Sequence, residues 1–202
     1  MNELKTILDE KLFVNKLNET LKNGGVIAFV TDTVWGIGCL PNCEEAVQKI
    51  YEIKGRDTSK PLILMSNKVE SLMPYVQNVS TKAKKLIDKF FPGALTLILE
   101  RSEKTPLYIT SQKNSVGIRV PNNEFFKLLC SKIEGNVLAT TSANLSNEPS
   151  SKSYEEAKNS IGNLVDFVFE DYGEHCKGLE STVLLAINED TKVLRQGSIF
   201  ID

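Results

Sequence analysis

Short apolar segments typical of β-strands recur along the chain, and glycine, proline or polar residues bound each of them. The first three lie at residues 26–30, 62–65 and 95–99. Residues 115–121 alternate in polarity, which places Ser115 and Arg119 on one face of a predicted strand. Further strands are predicted at residues 137–141, 167–170, 182–187 and 193–196.

Segments with helical period lie between these strands. Leu8, Leu12, Leu17 and Leu21 predict an opening helix that ends at Gly24-Gly25. Four other helices are predicted. The first begins at Asn42 as N-cap and turns Ala46, Val47, Ile50 and Tyr51 inward. The second is capped by Ser80 and ends at Pro92-Gly93, and the last two lie at residues 124–133 and 155–161. This interleaving predicts an α/β fold with a mixed, twisted sheet flanked by helices. The 202 residues fit one domain, 1–202.

The charge balance, the apolar runs and the cysteines limit the binding partners and the cellular location expected for the protein. Lys and Arg total 24 against 26 Asp and Glu, giving a formal charge of -2, so a polyanion could be bound only by a local cluster. No apolar run has the length of a membrane span, and the first residues do not resemble a signal peptide. Four cysteines without a CxxC pair predict free thiols and a cytoplasmic location.

The common catalytic and phosphate-binding motifs are missing. His175 is the only histidine, and the chain contains no G-x-S-x-G, Walker A or G-x-G-x-x-G sequence. A zinc set of Cys39, Cys43, His175 and Cys176 has unsuitable spacing, which favours buried or inert thiols. Phosphate binding would therefore have to use side chains.

Four cations near predicted strand or helix ends could form an anion pocket: Lys54, Arg56, Arg119 and Arg195. Hydroxyl and amide side chains accompany them, namely Thr58, Ser115, Ser142, Asn144 and Ser198. Each cation taken alone would more simply be a solvated surface charge. The combination of cations with hydroxyl and amide groups favours the pocket.

The stretch from Gly24 to Arg56 carries a strand, a turn at residues 31–38 and a helix, as in a ligand site at the carboxyl end of a strand. Two interpretations remain open here, because Thr31, Asp32 and Thr33 also suit a turn held by side-chain-to-backbone hydrogen bonds. Ser142 with Asn144 could likewise cap a turn. The turn-rich residues 147–153 suit a mobile flap.

Seven motifs occur in an order that resembles the YrdC/TsaC family of threonylcarbamoyl-AMP synthases. They are Thr31-Asp32-Thr33-x-Trp35-Gly36, Lys54-Gly55-Arg56, Pro92-Gly93, Gly117-x-Arg119-x-Pro121, Ser142-Ala143-Asn144, Gly178-x-x-Ser181-Thr182 and Leu194-Arg195-x-Gly197. The resemblance runs from Gly24 to Ile199. Val30 stands where the family commonly has Pro, and Trp35 where it has Tyr; an apolar strand end and an aromatic wall tolerate both changes.

The resemblance implies a YrdC-like fold with a concave substrate cleft, in the short, single-domain form. The implied enzyme is a cytoplasmic nucleotidyltransferase that condenses L-threonine, bicarbonate and ATP, with Mg²⁺, to threonylcarbamoyl-adenylate and pyrophosphate. A separate tRNA threonylcarbamoyl-transferase complex then modifies certain tRNAs, and a weak tRNA contact is allowed for. No membrane partner and no protein ligand for a metal are implied.

Site roles follow from the same resemblance. Positions associated with ATP are Lys54, Thr58, Ser142, Ser150 and Arg195, and Arg56, Ser115 and Asn144 complete this end at the phosphates or adenosine. Positions associated with threonine are Thr31, Arg119, Thr140 and Ser181. Lys54 and Arg56 are the catalytic candidates that would offset phosphate charge, and Arg119 would bind the threonine carboxylate bidentately.

Two other functions compete with this interpretation. One is an RNA-binding module for tRNA or double-stranded RNA without adenylation activity, although the acidic balance and the lack of aromatics among the cations oppose it. The other is the carbamoyl-handling domain of hydrogenase maturation proteins, whose acylphosphatase and zinc-finger segments are not found here.

Overall fold

A computed structural model describes residues 10–55 and 57–201 and contains one nine-stranded sheet in the order β7-β1-β2-β6-β3-β5-β4-β8-β9. Its strands are β1 (Ile27–Phe29), β2 (Gly36–Cys39), β3 (Ile63–Ser66), β4 (Leu95–Glu100), β5 (Ser115–Arg119), β6 (Val137–Ser142), β7 (Phe167–Val168), β8 (Thr182–Leu185) and β9 (Lys192–Arg195). Three neighbouring pairs are parallel, β1 with β7, β3 with β5 and β4 with β8, and the others are antiparallel. The predicted mixed sheet is confirmed.

In the described chain, helices lie in four of the eight connections between consecutive strands, and one helix precedes β1. They are α1 (Lys11–Lys22), α2 (Glu44–Lys54), α3 (Val69–Leu72), α4 (Thr81–Phe90), α5 (Glu124–Lys132) and α6 (Tyr154–Ile161), with 3₁₀ turns at Met73–Tyr75 and Glu134–Asn136. Ser80 caps α4 as predicted, since its hydroxyl accepts a hydrogen bond from the Ala83 N–H at 3.1 Å. Asn123 and Ser153 cap α5 and α6 in the same way.

Strand register separates the two faces of the sheet. Leu64 pairs with Ile118, which also pairs with Leu97, and all three side chains are fully buried in the core shared with the helices. The residues on either side of these three along each strand point to the opposite face. That face carries Ile63, Ile98 and Thr140, and the candidate site lies on it.

The predicted turn at residues 31–38 is wrong in its second half, because Gly36–Cys39 forms β2, a fully buried strand paired with β1 and β6. Its glycines are required by close packing. A Cβ on Gly38 would lie 3.0 Å from Thr140 Cγ2, and one on Gly36 would lie 3.1 Å from Phe29 Cε2. The strand therefore carries little of the β-branched pattern by which strands are recognised.

Smaller differences concern element ends. Helix α2 begins after Cys43, not after Asn42, although its inward residues are buried as predicted. In α1, Leu17 and Leu21 are buried but Leu12 is 82% exposed, and Leu8 lies outside the described residues. Helix α3 was not predicted, and β7 is shorter than expected. No helix in the described ranges has the length and apolarity to cross a bilayer.

Candidate active site

A cavity of about 400 Å³ lies on the face of the sheet opposite the shared core. Residues from seven neighbouring strands line it: Gly36, Thr140, Ser142, Ile63, Met65, Arg119, Thr96, Ile98, Val183, Leu194 and Arg195. Hydroxyl and cationic side chains stand around an apolar floor. This composition suits a small polar anion with some apolar surface.

The floor of the cavity owes its depth to Gly117. This residue pairs with Ile63 of β3 and Ile98 of β4, and a Cβ on it would lie 2.6 Å from Ile63 Cγ2 and 3.1 Å from Ile98 Cδ1. Any side chain here would push these isoleucines apart or fill the cavity. Gly117 lies between Ser115 and Arg119 on the same face of β5. The prediction that Ser115 and Arg119 share a face is confirmed.

The turn after β1 is held by the hydroxyl of Thr31. Thr31 Oγ1 donates to the carbonyl of Val34 at 2.6 Å and accepts from the N–H of Thr33 at 3.2 Å. The turn-forming interpretation is therefore correct. The same turn also presents Thr31, Thr33 and Trp35 to the cavity, so the structural and ligand-site interpretations apply together.

Arg119 is 2% exposed and is held by three protein groups. Its Nη2 donates to Asp32 Oδ1 at 2.5 Å, its Nη1 to Thr33 Oγ1 at 2.8 Å and its Nε to the carbonyl of Gly93 at 2.9 Å. Burial lowers the pKa of the Arg119 guanidinium, Asp32 opposes that change and Arg195 adds to it. The guanidinium is thus fixed in orientation beside a second cation.

A chain of polar contacts joins the two sides of the cavity. Ser181 Oγ lies 2.8 Å from Thr96 Oγ1, and it accepts a hydrogen bond from Arg195 Nη2 at 3.2 Å. Arg195 also forms an ion pair with Glu180, whose other oxygen accepts from Ser150 Oγ at 2.6 Å. Arg195 contacts Ser181 directly, so residues expected at the ATP end and at the threonine end meet here.

Lys54 organises the turn that follows β6. Its ammonium donates to the carbonyls of Ser142 at 2.6 Å and Asn144 at 2.7 Å, and to Asn144 Oδ1 at 3.1 Å. The Asn144 amide donates in turn to the carbonyls of Leu145 and Glu148. Lys54 is 3% exposed and does not line the cavity, whereas Ser142 does. The predicted turn role of Asn144 is confirmed.

The remaining predicted residues are spread more widely. Thr140 lines the cavity, and its hydroxyl donates to the carbonyl of Ile63. Ser115 lies at the far end of β5, outside the cavity lining. Thr58 is exposed and lines a neighbouring cavity of about 380 Å³ that shares Ser59 with the first. Arg56 lies outside the described residues.

Several residues of the site were missed. Glu180, which lines the cavity, and Asp32, which binds Arg119, lie within the recognised motifs. Reading every polar position of those motifs as a site candidate would have found them. Thr96, Lys60 and Lys113 also line the cavity. The two lysines stand in loops without any signature, and only the tertiary fold brings them to the site.

The segment 147–153 contains no helix or strand before α6, but it is held at several points. The carbonyl of Ser151 accepts from the Trp35 N–H at 2.9 Å, and Ser151 Oγ donates to the carbonyl of Ala143 at 2.5 Å. The predicted flap role is untested by these contacts.

None of the four cysteines is among the described residues that line the cavity, and all four are free thiols. Across residues 10–55 and 57–201, no group of three or more His, Cys, Asp or Glu side chains is placed to hold a metal ion.

These features define a class: an α/β domain whose mixed sheet carries, on one face, a cavity with two arginines and a row of hydroxyls. The Sua5/YciO/YrdC family model, described as "Telomere recombination", matches residues 19–197. The chain belongs to this family, which confirms the resemblance inferred from its motifs.

Relatives and a solved structure agree with this assignment. A threonylcarbamoyl-AMP synthase of Pyrococcus abyssi is 33% identical over 89% of this chain, which spans about half (52%) of that relative. One of Vibrio campbellii is 31% identical over 89% of this chain and 96% of its own length. The crystal structure of P. abyssi Sua5 complexed with L-threonine superposes with a TM-score of 0.87 at 32% identity, covering 94% of this chain and 55% of that one.

Proposed function

We propose that this chain is a threonylcarbamoyl-AMP synthase, a nucleotidyltransferase that forms threonylcarbamoyl-adenylate and pyrophosphate from L-threonine, bicarbonate and ATP. One observation supports it above the others. A single cavity places the buried Arg119 beside the hydroxyls of Thr31, Thr140 and Ser181, with Arg195 in contact with Ser181. A carboxylate and a phosphate could therefore be bound side by side.

The reaction needs positioning and charge neutralisation more than covalent catalysis. The threonine ammonium and bicarbonate form a carbamate, with release of water and one proton. A carbamate oxygen then bonds to the α-phosphorus of ATP, and the bond between that phosphorus and the bridging oxygen breaks as pyrophosphate leaves. No nucleophilic side chain takes part.

At the threonine end, Arg119 would bind the substrate carboxylate. Of its five N–H groups, three bond Gly93, Thr33 and Asp32 among the described residues, which leaves one on each terminal nitrogen. These two N–H groups would donate to the carboxylate of threonine. The hydroxyls of Thr31, Thr140 and Ser181 would accept or donate around the amine and the side-chain hydroxyl of threonine.

At the ATP end, Arg195 and Ser142 reach the cavity directly. Lys54 does not line the cavity and would act by holding the turn of Ser142 and Asn144 in place. Thr58, Ser115 and Ser150 would contribute from the margins of the cavity. Arg56 would neutralise phosphate charge. Mg²⁺ would enter with the ATP substrate and would offset part of the phosphate charge.

The product would serve a separate tRNA threonylcarbamoyl-transferase complex. This chain itself would make at most a weak contact with tRNA. The free thiols support a cytoplasmic location for this work. The formal charge of -2 gives no support to an RNA-binding module.

Incubation with ATP, bicarbonate and labelled threonine tests the proposal. We expect threonine-dependent release of pyrophosphate together with a threonine-labelled adenylate. Omission of bicarbonate after degassing is the matched control and should suppress both products. Tight tRNA binding without threonine-dependent pyrophosphate would instead favour the RNA-binding module.

A further inference from the structure

Glu180 is the one acidic side chain among the described residues that line the cavity. The cations Arg119, Arg195, Lys60 and Lys113 share that lining. A carboxylate repels the phosphates that such a cluster attracts. The position of Glu180 therefore calls for a role other than direct phosphate binding.

The contacts of Arg195 indicate that role. Its Nε donates to the carbonyl of Ser181 at 3.1 Å and its Nη2 to Ser181 Oγ at 3.2 Å, while Nη1 is paired with Glu180. All three nitrogens of the planar guanidinium are thus engaged. Among the described residues, the Glu180 carboxylate is the charged partner that holds Arg195 against Ser181.

The second oxygen of Glu180 faces the segment 147–153. It accepts from Ser150 Oγ at 2.6 Å, next to Ser151, whose carbonyl bonds the backbone of Trp35. One carboxylate therefore joins this segment to β9 across the margin of the cavity.

We propose that Glu180 is a positioning residue that acts before ATP binds, an inference that rests on the proposed function. It holds Arg195 against Ser181 and ties the segment 147–153 to β9. The entering phosphates then replace Glu180 on Arg195, and the segment loses its link to β9.

The exposure of the pair makes this replacement feasible. The Arg195 and Glu180 side chains are 45% and 36% exposed, so their ion pair contributes little to stability and is screened by salt. The triphosphate of ATP carries more charge than one carboxylate and offers bidentate acceptors to the same guanidinium. Competition between the two anions must then weaken ATP binding.

Calorimetric titration of ATP into the full chain tests the competition. Glu180→Gln keeps the shape but removes the charge, so we expect ATP to bind about two- to fivefold more tightly at low ionic strength, with the gain shrinking at high salt. Glu70→Gln, an exposed change on α3 away from the cavity, is the matched control and should bind ATP like the wild type.

Hydrogen exchange tests the link to the segment. Ser150→Ala removes the tether and keeps the Glu180–Arg195 pair, so amides of residues 147–153 should exchange faster than in the wild type without ATP. In the wild type, ATP should raise the same amides to a similar rate. A merely structural role of Glu180 would leave the exchange of these amides unchanged when ATP is added.

Two outcomes would overturn the inference. Unchanged ATP affinity in Glu180→Gln would show that the carboxylate does not compete, and weaker affinity would show that Glu180 assists ATP binding instead of opposing it. The same titration with inorganic pyrophosphate separates this inference from the function. Binding without threonine-dependent turnover would reject the function alone, whereas binding of neither probe to the wild type would reject both.

Discussion

Two of the predicted cations, Lys54 and Arg119, are almost fully buried and are bound by the protein itself. Their positions at element ends were predictable from the sequence. Their partners were not, because Asp32 and Arg119 are 87 residues apart and no local pattern pairs them. The two cations therefore have a structural role that has to be separated from any role in binding.

A charge-paired double substitution makes that separation for Arg119. Arg119→Met leaves the Asp32 carboxylate buried without its partner, and we expect the free energy of unfolding to fall by about 3–5 kcal/mol in denaturant titrations. Adding Asp32→Asn should recover part of this loss, since no charge is then left unpaired. Threonine binding by calorimetry should stay absent in both variants. A double variant no more stable than Arg119→Met would show that Asp32 is not its essential partner.

Lys54→Met tests the other buried cation. It preserves the side-chain length but leaves the carbonyls of Ser142 and Asn144 without their charged donor, which should cost about 1–3 kcal/mol in unfolding free energy. Pyrophosphate release should be abolished because the turn no longer holds Ser142 at the cavity. Lys85→Met on the exposed face of α4 is the control. Near-normal turnover of Lys54→Met would contradict the site assignment.

At the level of elements, the sequence predicted most strands and helices because their apolar patterns are local. The alternation of β5 correctly placed Ser115 and Arg119 on one face. The apolar pattern did not predict β2. Close neighbours in the sheet require Gly36 and Gly38 there, and glycine has little β-propensity. The cap of α2 was misplaced by one residue, since neither Asn42 nor Cys43 provides a capping side-chain hydrogen bond there.

The junction of β1 with β7 is predicted to be sensitive to pH through Asp166. Its carboxylate accepts from Lys49 Nζ at 2.7 Å and from the Val26 N–H at 2.8 Å. Burial raises the pKa of Asp166, but these two hydrogen bonds outweigh it and the net pKa is lowered from 3.8. A lowered pKa contributes stability above the ordinary value, and that contribution is lost as the pH falls through the lowered one.

Asp166→Asn should therefore lower the unfolding free energy at pH 7 by at most about 1 kcal/mol, a figure reduced for the partial exposure of the pair. The difference from the wild type should shrink as the pH falls below the ordinary value of 3.8 towards the lowered pKa of the native carboxylate. Denaturant titrations between pH 7 and pH 3 measure it, with the exposed Glu170→Gln as control. A difference that stays constant over this range would rule out the charge as its cause.

For the whole molecule, the α/β class followed from the alternation of patterns, but the strand order did not. Neighbours such as β2 with β6 and β4 with β8 come from distant parts of the chain, so their pairing depends on tertiary packing. The cavity arises from that order, because it brings hydroxyls of β4 and β6 beside Arg119 and Arg195. The seven motifs identified many of these residues through family resemblance, whereas Lys60 and Lys113 had no comparable signal.

The distribution of the four thiols gives a test of the whole fold. Cys39 and Cys130 are buried, and burial raises the pKa of the Cys130 thiol to about 12 and that of Cys39 well above its usual range. Cys43 and Cys176 are half-buried. We expect a disulfide reagent at pH 8 to modify two thiols in the native protein and all four in denaturant, as counted by absorbance. Cys43→Ser should reduce the native count to one, and rapid native modification of three or four thiols would contradict the packing of β2 and α5.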